Sequence, residues 1–361
     1  MVSPYDLAVP GGVQNQVAGL ACALSRSGVD VDVLTPLGPS GASFGDVGGA
    51  HLVPLGRAIA VSVNGSQAPV APFPTTMART VRRVRAGQYD VVHLHEPFVP
   101  GPALAALATC RVPMVGTFHR FGVDAAYRLL GRACGRLAGR LRVQAAVSEE
   151  ARETASEVLG RHTREMLVLW NGVDVARFRS AEPMDAGDGG PVVMFVGRHE
   201  ARKGLGVLLS AFSEVKIPAR LWVCGAGPDT EALRGRFGSD PRIEWLGRVP
   251  DAELAGRLRA ADVFCAPSLG GESFGLVVAE AMAASTCVVA SDLPGYRAAL
   301  AGSGVLVPPG DSHRLTEALT RLLGDDLERA ELVKKGDVRA DELSIDRLAC
   351  CYIELYSGIL R

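Results

Sequence analysis

Short apolar runs alternate along the chain with stretches in which apolar residues recur every three or four positions. Most of the runs are continuously apolar, which is typical of strands buried on both faces of a parallel sheet. The predicted strands are VDVDVL (29–34), YDVVHLH (89–95), VPMVGTF (112–118), VQAAVS (143–148), VVMFVG (192–197), RLWVCG (220–225), IEWLG (243–247), VFCAPS (263–268) and CVVAS (287–291). The predicted helices cover residues 13–27, 76–86, 149–159, 204–215 and 275–284. Strands and helices in alternation predict an α/β protein with doubly wound parallel sheets.

The length of the chain and one segment of unusual composition predict two domains. A chain of 361 residues is long for a single hydrophobic core. The segment AEPMDAGDGGP (181–191) is rich in glycine, proline and acidic residues, which is typical of a linker. We therefore expect two doubly wound domains that meet near residues 170–190. Ligands of such sheets bind beyond the carboxyl ends of the strands, and two facing domains form a cleft there.

The composition excludes several classes of protein. A hydrophobic content of 48% with 21% charged residues describes a globular chain and not a disordered one. Pro4, Asp6 and Pro10 interrupt any signal-peptide core near the amino terminus. The sequence MVSP there is short for a central strand, so either the first strand begins upstream of Met1 or residues 1–3 are its tail. The eight cysteines lie in apolar surroundings without CxxC spacing, which predicts reduced core residues of a cytoplasmic protein.

Arginines are concentrated in the first half of the chain. Residues 1–170 carry 16 Arg, no Lys and 12 acidic residues, whereas the remainder carries 22 Lys and Arg with 27 acidic residues. In the predicted helix 76–86, Met77, Val81 and Val84 share one face, and the other faces carry Arg79, Arg82, Arg83 and Arg85. A second stripe at four-residue spacing consists of Arg128, Arg132, Arg136 and Arg140.

Two interpretations fit these basic helices. They are either solvated helices that pack on a sheet or a surface for an anionic membrane, where each arginine contributes about 1 kcal/mol. We favour the membrane. Nucleic acid is disfavoured, because aromatic residues make up only 6% of the chain and no binding module is visible.

Two motifs at predicted strand ends suit the binding of an anion. VPGGVQNQV (9–17) opens a helix, and Gly12 lets backbone N–H groups approach an anion closely, although a tight turn alone also explains the glycine pair. FVGRHEARKG places Arg198 and Lys203 just after a strand. Two cations there can hold a diphosphate and stabilise its charge as it leaves, whereas a solvated loop is the alternative.

The most specific stretch is GGESFGLVVAEAMA (270–283). Its first two glycines allow a tight turn, and Gly275 opens a helix whose free N–H groups face the same anion. Glu272 lies in the loop, where a carboxylate can accept hydrogen bonds from sugar hydroxyls. Glu280 lies within an apolar helix, where a carboxylate can bind a ribose diol.

The sequence HLH (93–95) places two imidazoles on one face of a strand. A metal pair is conceivable, but no third ligand is near in the sequence. Hydrogen-bonded histidines close to the ligand cleft are the favoured interpretation.

These motifs together resemble family 4 of the retaining glycosyltransferases. The resemblance rests on the E-x7-E spacing from Glu272 to Glu280, the GR…RKG pair, the Gly-Gly-Val-Gln helix start and NGVDVARF (171–178). It runs over nearly the whole chain and is closest to the actinobacterial phosphatidylinositol mannosyltransferases, through PYDLAVPGGVQ, VNGS (63–66), HLHEP, GTFH and FCAPSLGGESFG.

The resemblance implies a GT-B fold with two Rossmann-like domains facing across a cleft. Residues 1–170 would bind the acceptor, and residues 171–340 would bind the nucleotide-sugar donor. The C-terminal helix, about 341–361, would cross back to the first domain. The implied reaction is retaining transfer of a hexose, expected to be mannose from GDP-mannose, to phosphatidylinositol or a related lipid. Neither a metal ion nor a cofactor is expected, and the implied location is cytoplasmic, at the inner face of the plasma membrane.

The resemblance also implies roles for single residues. His119 would approach the sugar from the acceptor domain, while Arg198 and Lys203 clamp the diphosphate. The implied catalytic residues are His119, Arg198, Lys203 and Glu272. The implied donor-binding residues are Gly12, Arg198, Lys203, Glu272, Ser273, Phe274, Gly275 and Glu280. The implied acceptor-binding residues are Tyr5, Gln14, Asn64, Ser66 and Arg120.

The acceptor half departs from the family pattern. Asp124 and Pro69 stand where members that bind inositol phosphate have basic residues, and Arg120 is the candidate to compensate. Gln16 stands where a histidine is more typical. A soluble cyclitol or a specialised metabolite is therefore an alternative acceptor. A third hypothesis is a nucleotide-sugar epimerase or a non-catalytic sugar-nucleotide binder on the same architecture.

Overall fold

The computed structural model describes residues 1–9, 11–37, 48–63 and 66–361. Two compact units make up the chain. The first consists of Met1–Gly172 with Ile345–Arg361, and the second of Val173–Ser344. The predicted boundaries were 1–170 and 171–340.

In the first unit, helices and strands alternate as the apolar pattern predicts from residue 74 onward, whereas the described part of residues 32–70 forms four strands in succession. In chain order the elements are α1 (Gly12–Arg26), β1 (Asp32–Thr35), β2 (His51–Pro54), β3 (Ile59–Val63), β4 (Ser66–Val70), α2 (Pro74–Ala86), β5 (Val92–His95), α3 (Pro102–Thr109), β6 (Met114–Phe118), α4 (Ala125–Cys134), β7 (Leu141–Ala146), α5 (Glu149–Leu159) and β8 (Met166–Val168). Short 3-10 helices follow α4 and α5.

A three-residue segment completes the parallel sheet of this unit. Val2 pairs in parallel with both Leu34 of β1 and Leu94 of β5. The Val2 N–H donates to the carbonyl oxygen of His93 at 2.8 Å, and the Ser3 N–H donates to that of Leu34 at 2.9 Å. Residues 1–3 therefore occupy the strand position between β1 and β5. The resulting order is β2, β1, residues 1–3, β5, β6, β7 and β8, so the chain reverses direction across the sheet between residues 1–3 and β5.

The hairpin of β3 and β4 was not predicted from the sequence. Its strands pair antiparallel, from Ile59 with Val70 onward, apart from the parallel sheet. Tyr5 reaches it through an isolated antiparallel bridge to Val70. The hairpin thus lies beside the carboxyl end of the segment formed by residues 1–3.

The buried face of α2 differs from the prediction. Thr76, Thr80 and Val84 are buried, whereas Met77 and Val81 are only partly buried. This face packs against the alanine-rich α3. Threonine suits such a close contact, because the Thr80 hydroxyl is paired within the helix: it donates to the Thr76 carbonyl at 2.9 Å.

The second unit is a doubly wound domain with six strands among the residues described. Its elements are α6 (Val175–Ser180), β9 (Val192–Val196), α7 (Leu205–Glu214), β10 (Arg220–Cys224), α8 (Thr230–Phe237), β11 (Ile243–Gly247), α9 (Asp251–Ala260), β12 (Val263–Ala266), α10 (Leu276–Ala283), β13 (Cys287–Ser291), α11 (Pro294–Leu300), β14 (Val305–Val307), α12 (Ser312–Gly324) and α13 (Asp326–Glu342). The strand order is β11-β10-β9-β12-β13-β14, and all pairs are parallel. The order reverses between β9 and β12, which is where ligands bind in sheets of this class.

The chain passes from the first unit to the second at Gly172–Val173. The segment 181–191, predicted as the linker, belongs to the second unit, where the Met184 N–H donates to the Gly256 carbonyl at 3.0 Å. Its composition prevents regular structure, but α6 has already joined the second unit before it begins. Composition therefore identified an irregular segment and not the crossing point.

The last helix returns to the first unit. This helix, α14 (Ile345–Leu360), packs against α1 and buries Ile345, Ala349 and Tyr352. Burying a side chain of the size of Ile345 contributes about 1.5–3 kcal/mol. Arg26 and Asp346 add an exposed ion pair at 2.7 Å. The predicted return of the C-terminal helix is confirmed. Among the described residues, no helix has both the length and the apolar character that a membrane span requires.

Candidate active site

Charged side chains of alternating sign gather at the carboxyl ends of β9 and β12. A carboxylate oxygen of Glu200 lies 3.6 Å from Arg198 Nε, and the other lies 2.8 Å from Arg202 Nε. The Oε1 atom of Glu272 lies 3.4 Å from Arg202 Nη1 and 2.6 Å from Lys203 Nζ. Three cations thus face two carboxylates at the switch point of the sheet. We call these five residues the charge network; its formal excess of one positive charge favours an anionic ligand.

Backbone packing explains why residues about 70 positions apart meet here. Gly204 has a left-handed backbone, with φ of +69°, at the start of α7. A Cβ atom at Gly204 would lie 1.8 Å from the carbonyl oxygen of Pro267. The Leu269 N–H donates to the Arg202 carbonyl at 2.7 Å. The loop after β9 therefore lies directly against the loop after β12, and only glycine fits at the contact.

Two hydroxyl groups hold the Glu272 carboxylate in place. The Ser268 hydroxyl donates its single proton to Glu272 Oε1 at 3.0 Å. The Tyr296 hydroxyl, 2.9 Å from Ser268 Oγ, must therefore be the donor in its hydrogen bond with Ser268. Tyr296 is fully buried, and a Cβ atom at Gly275 would come within 2.4 Å of its ring. Gly275, with φ of +92°, is thus both the start of α10 and the space that Tyr296 requires.

The remaining residues of the motif follow from this packing. Phe274 is buried and anchors the loop, whereas Ser273 is partly exposed at the amino-terminal end of α10. The helix predicted after Gly275 is present as α10, and the first turn of an α-helix leaves backbone N–H groups without partners inside the helix.

Glu280 belongs to a second polar group in the same unit. It lies on α10 and is influenced by Arg177 of α6 and Asp251 of α9, which form an ion pair at 2.9 Å. Burial raises the pKa of the Glu280 carboxyl to about 7, because Arg177 offsets the desolvation only in part and Asp251 adds to it. Glu280 is therefore close to half ionised at neutral pH.

Polar residues also follow neighbouring strands of the first unit. His95 ends β5, Glu96 follows it, and His119 follows β6. Glu96 Oε1 accepts the backbone N–H of His119 at 2.5 Å, and His95 Nδ1 lies 2.9 Å from His119 Nε2. Glu96 has a left-handed backbone, with φ of +47°, which costs a non-glycine residue about 1–3 kcal/mol. Burial raises the pKa of the Glu96 carboxyl to about 6, although the N–H groups of His119 and Arg120 lower it.

The other histidine of the HLH sequence is linked to α14. His93 Nδ1 lies 2.7 Å from the Tyr356 hydroxyl, and His93 Nε2 lies 2.7 Å from Thr117 Oγ1. Thr117 Oγ1 in turn lies 2.8 Å from the Tyr352 hydroxyl. Both nitrogens of His93 therefore have partners within the unit. Within the described ranges, no three His, Cys, Asp or Glu residues come together as a metal site.

Comparison with known proteins identifies the family. Residues 10–177 match the family described as Glycosyltransferase Family 4. Residues 190–325 match the family described as Glycosyl transferases group 1. The phosphatidyl-myo-inositol mannosyltransferase of Mycolicibacterium smegmatis is 39% identical over 380 residues, which cover 99% of this chain and 93% of that protein. The chain belongs to glycosyltransferase family 4.

Two further relatives of this glycosyltransferase extend the comparison. A D-inositol 3-phosphate glycosyltransferase of Xylanimonas cellulosilytica is 30% identical, over 96% of this chain and 91% of that protein. The structure of Anabaena HepE in complex with UDP has a TM-score of 0.76 at 18% identity, and the match covers 98% of each chain. The fold of the family 4 enzyme is thus GT-B, as the sequence predicted.

The glycosyltransferase keeps its predicted donor residues together in the second unit, except for Gly12. Arg198, Lys203 and Glu272 lie in the charge network. Sequence reasoning missed Glu200 and Arg202, which connect them. Both residues lie between the predicted cations in the sequence GRHEARKG. A charged loop of this kind is equally typical of a solvent-exposed surface, so the sequence did not single them out.

The predicted acceptor residues that the structure describes lie in the first unit, and one of them, Arg120, already has a partner for its charge. Arg120 forms an ion pair with Asp124 at 2.5 Å, and its guanidinium lies over the Tyr127 ring at 4.6 Å. Arg120 was the candidate to replace the positive charge missing at position 124, but Asp124 itself neutralises the Arg120 guanidinium. Burial and the Glu96 carboxylate raise the pKa of the Tyr5 hydroxyl, so Tyr5 is a neutral hydrogen-bonding group.

The start of α1 has a structural role as well as the predicted one. Gly12 is the exposed first residue of α1, and Gln14, two positions on, is buried. The Oε1 atom of Gln16 accepts the Gly172 N–H at 3.1 Å, which explains a glutamine where a histidine is typical. Ser66 begins β4, and Asn64 lies outside the described residues.

The pKa of Glu280 gives the first testable prediction. If the ionised carboxylate accepts hydrogen bonds from the ribose diol, the affinity for the donor nucleotide should fall as the pH falls through 7. Between pH 8 and pH 6 the dissociation constant should rise about tenfold. Calorimetric titration of nucleotide into the protein measures this. Glu280→Gln, which cannot ionise, should bind weakly at every pH; an equally steep profile in that variant would contradict the assignment.

Proposed function

We propose that this glycosyltransferase moves mannose from GDP-mannose to phosphatidylinositol, with retention at the anomeric carbon and without a metal ion. The observation that carries the proposal is the charge network, in which Arg198 and Lys203 flank a carboxylate pair. The relatives named phosphatidyl-myo-inositol mannosyltransferase support the choice of sugar and acceptor.

The donor chemistry follows from the charges. Lys203 Nζ lies 2.6 Å from Glu272 Oε1. Donor phosphates would compete for Lys203, which would leave Glu272 Oε1 available to sugar hydroxyls. As the bond between the anomeric carbon and the phosphate oxygen breaks, negative charge grows on the leaving diphosphate. Arg198 and Lys203 would stabilise that charge, the task that a divalent cation performs in other transferases.

Retention follows if the acceptor attacks from the face that the diphosphate leaves. The acceptor oxygen bonds to the anomeric carbon, and its proton passes to the departing phosphate oxygen. This route needs no protein nucleophile. The N-terminus of α10 adds stabilisation of the leaving group, since its free N–H groups carry partial positive charge.

The acceptor has one specific rival. Asp124 balances Arg120 at 2.5 Å, which weakens the case for a phosphate contact at that position. The D-inositol 3-phosphate glycosyltransferase relative supports a soluble cyclitol acceptor as the second candidate. Both candidates share the inositol ring, and they differ in whether a lipid is attached.

A donor and acceptor screen tests the proposal. GDP-, UDP- and ADP-sugars are each incubated with phosphatidylinositol vesicles, myo-inositol or inositol 3-phosphate, and products are identified by mass spectrometry. We expect hexosylated phosphatidylinositol from GDP-mannose, undiminished by EDTA. Product from soluble acceptors alone would favour the second candidate. Donor conversion without any acceptor product, or reversible loss of activity with EDTA, would overturn the transferase mechanism proposed here.

We further propose that α2 binds an anionic membrane, but not through all four of its predicted arginines. Arg83 donates to Asp32 at 2.7 Å and to the Tyr89 hydroxyl at 3.0 Å. Arg79 donates to the Leu55 carbonyl at 3.3 Å. Arg82 and Arg85 are exposed and have no such partner among the described residues. These two are the cations available to lipid phosphates.

Reversing these two charges should release the protein from vesicles. Each arginine contributes about 1 kcal/mol near an anionic surface, so Arg82→Glu with Arg85→Glu should weaken binding at least about tenfold. Co-sedimentation with phosphatidylglycerol vesicles measures this, and binding of the wild type should weaken with added salt. Lys216→Glu, in the second unit, is the matched control. Unchanged binding of the double variant would exclude α2 as the contact.

A further inference from the structure

His95 and His119 share a hydrogen bond in the interior of the first unit. His95 Nδ1 lies 2.9 Å from His119 Nε2, and the two residues are 1% and 6% exposed. Burial lowers the pKa of both rings, that of His119 to about 3. Both rings are therefore neutral at neutral pH, and each carries one proton. One ring must donate in this hydrogen bond and the other must accept.

The surroundings of His95 decide the direction. His95 Nε2 is buried without a partner in the part of the chain that the structure describes. The stacked ring of His93, 4.4 Å away, cannot supply one, because Tyr356 and Thr117 occupy both of its nitrogens. If His119 donated, the His95 proton would lie on Nε2 as a buried N–H without an acceptor. If His95 donates instead, Nε2 is a buried acceptor without a donor. Either unpaired group costs free energy, but orphaned buried N–H groups are the rarer of the two in proteins, which favours His95 as the donor.

His95 therefore donates from Nδ1, and His119 receives the bond at Nε2. The proton of His119 must then lie on Nδ1. That atom has no hydrogen bond within the described residues, and it is not one of the fully buried polar atoms. It is the ring atom of His119 that remains accessible.

We propose that His95 is a positioning residue: it fixes His119 in the tautomer with a proton on Nδ1, which His119 offers to a hydroxyl of the sugar substrate. Glu96 holds the other side of His119 by accepting its backbone N–H. The ring and the main chain of His119 are thus both constrained before substrate arrives. The sugar contact rests on the proposed function, whereas the tautomer does not.

Three variants test the role of His95. Asparagine places an amide N–H near the position of Nδ1, glutamine places it near Nε2, and leucine removes it. We expect His95→Leu to lower kcat about tenfold, the value of one lost hydrogen bond of about 1.4 kcal/mol, with little change in donor binding. His95→Asn should recover most of that loss, and His95→Gln should not. His51→Asn, at an exposed histidine, is the matched control and should leave kcat unchanged.

Nitrogen-15 NMR of the histidine rings supplies a readout that requires no substrate. At neutral pH we expect a single His119 tautomer protonated at Nδ1 in the wild type and in His95→Asn. His95→Leu should show a mixture, and if it fails to fold, the comparison of His95→Asn with His95→Gln decides. A wild-type His119 protonated at Nε2 would overturn the proposal. If the NMR result holds but no sugar is transferred, the proposed function fails and the positioning of His119 stands.

Discussion

Lys203→Met should lower the rate of sugar transfer by about 10²–10³-fold, the scale seen when one partner of a transition-state charge is removed. Lys203 Nζ lies 2.6 Å from Glu272 Oε1 at the switch point of the second unit. Without the ammonium group, the leaving diphosphate would lose one of the two cations that we propose stabilise it, and Glu272 would lose its shortest ion pair. Single-turnover kinetics, with donor binding measured separately, distinguishes the loss in the chemical step from weaker binding.

Two controls make the result specific. Lys203→Arg keeps the charge and should retain more activity than Lys203→Met. Lys216→Met removes an exposed lysine, whose side chain is 83% exposed, and should leave the rate unchanged. Arg198→Ala with Lys203→Ala should be the least active of the set. Wild-type turnover in that double variant would refute the role of the charge network.

Of the variants proposed here, Gly204→Ala should lower the free energy of unfolding the most. The new Cβ atom would lie 1.8 Å from the Pro267 carbonyl oxygen, on a backbone with φ of +69°. The left-handed backbone costs alanine about 1–2 kcal/mol, and overpacking adds about 1–3 kcal/mol. We expect the free energy of unfolding to fall by about 2–5 kcal/mol, measured by urea denaturation of the full chain.

Gly235→Ala is the matched control for this prediction. Gly235 lies within α8, and nothing lies within 4 Å of the position that its Cβ would take. Alanine there should be neutral or stabilise the chain by up to about 1 kcal/mol. Equal denaturation midpoints for both variants would show that the loops after β9 and β12 do not pack as described.

The sequence predicted the long buried strands of the two parallel sheets better than the short strands. Continuous apolar runs such as VVMFV identify buried strands, because both faces of a parallel sheet are covered. β2, which reads HLVP, β8, β14 and the hairpin of β3 and β4 were missed. These strands are only three to five residues long, so their apolar stretches do not stand out from the loops around them. Residues 1–3 show the reverse case, in which three residues suffice because strands on both sides hold them.

The sequence predicted those residues of the candidate site whose charged side chains stand just after a strand. Arg198, Lys203 and Glu272 stand just after predicted strands, and the carboxyl ends of β9 and β12 bring them together. Ser268 and Tyr296, which hold Glu272, could not be found in this way. The two residues are 28 positions apart in the sequence, and their hydrogen bond at 2.9 Å exists only in the folded unit.

The same limit applies to the histidines of the first unit. The HLH sequence predicted hydrogen-bonded imidazoles near the ligand cleft, but not which groups they would meet. His93 bonds to Tyr356, which lies 263 positions away. Glu96 was missed because its left-handed backbone is a property of the tertiary structure and not of the residue type.

The return of α14 to the first unit sets an order of assembly during translation. The second unit, Val173–Ser344, is interposed within the chain of the first, so it leaves the ribosome complete while the first still lacks its last helix. A nascent chain that ends at Ser344 has no Ile345, Ala349 or Tyr352 to cover α1, and no Tyr356 for His93. The half that is synthesised first is therefore the half that matures last.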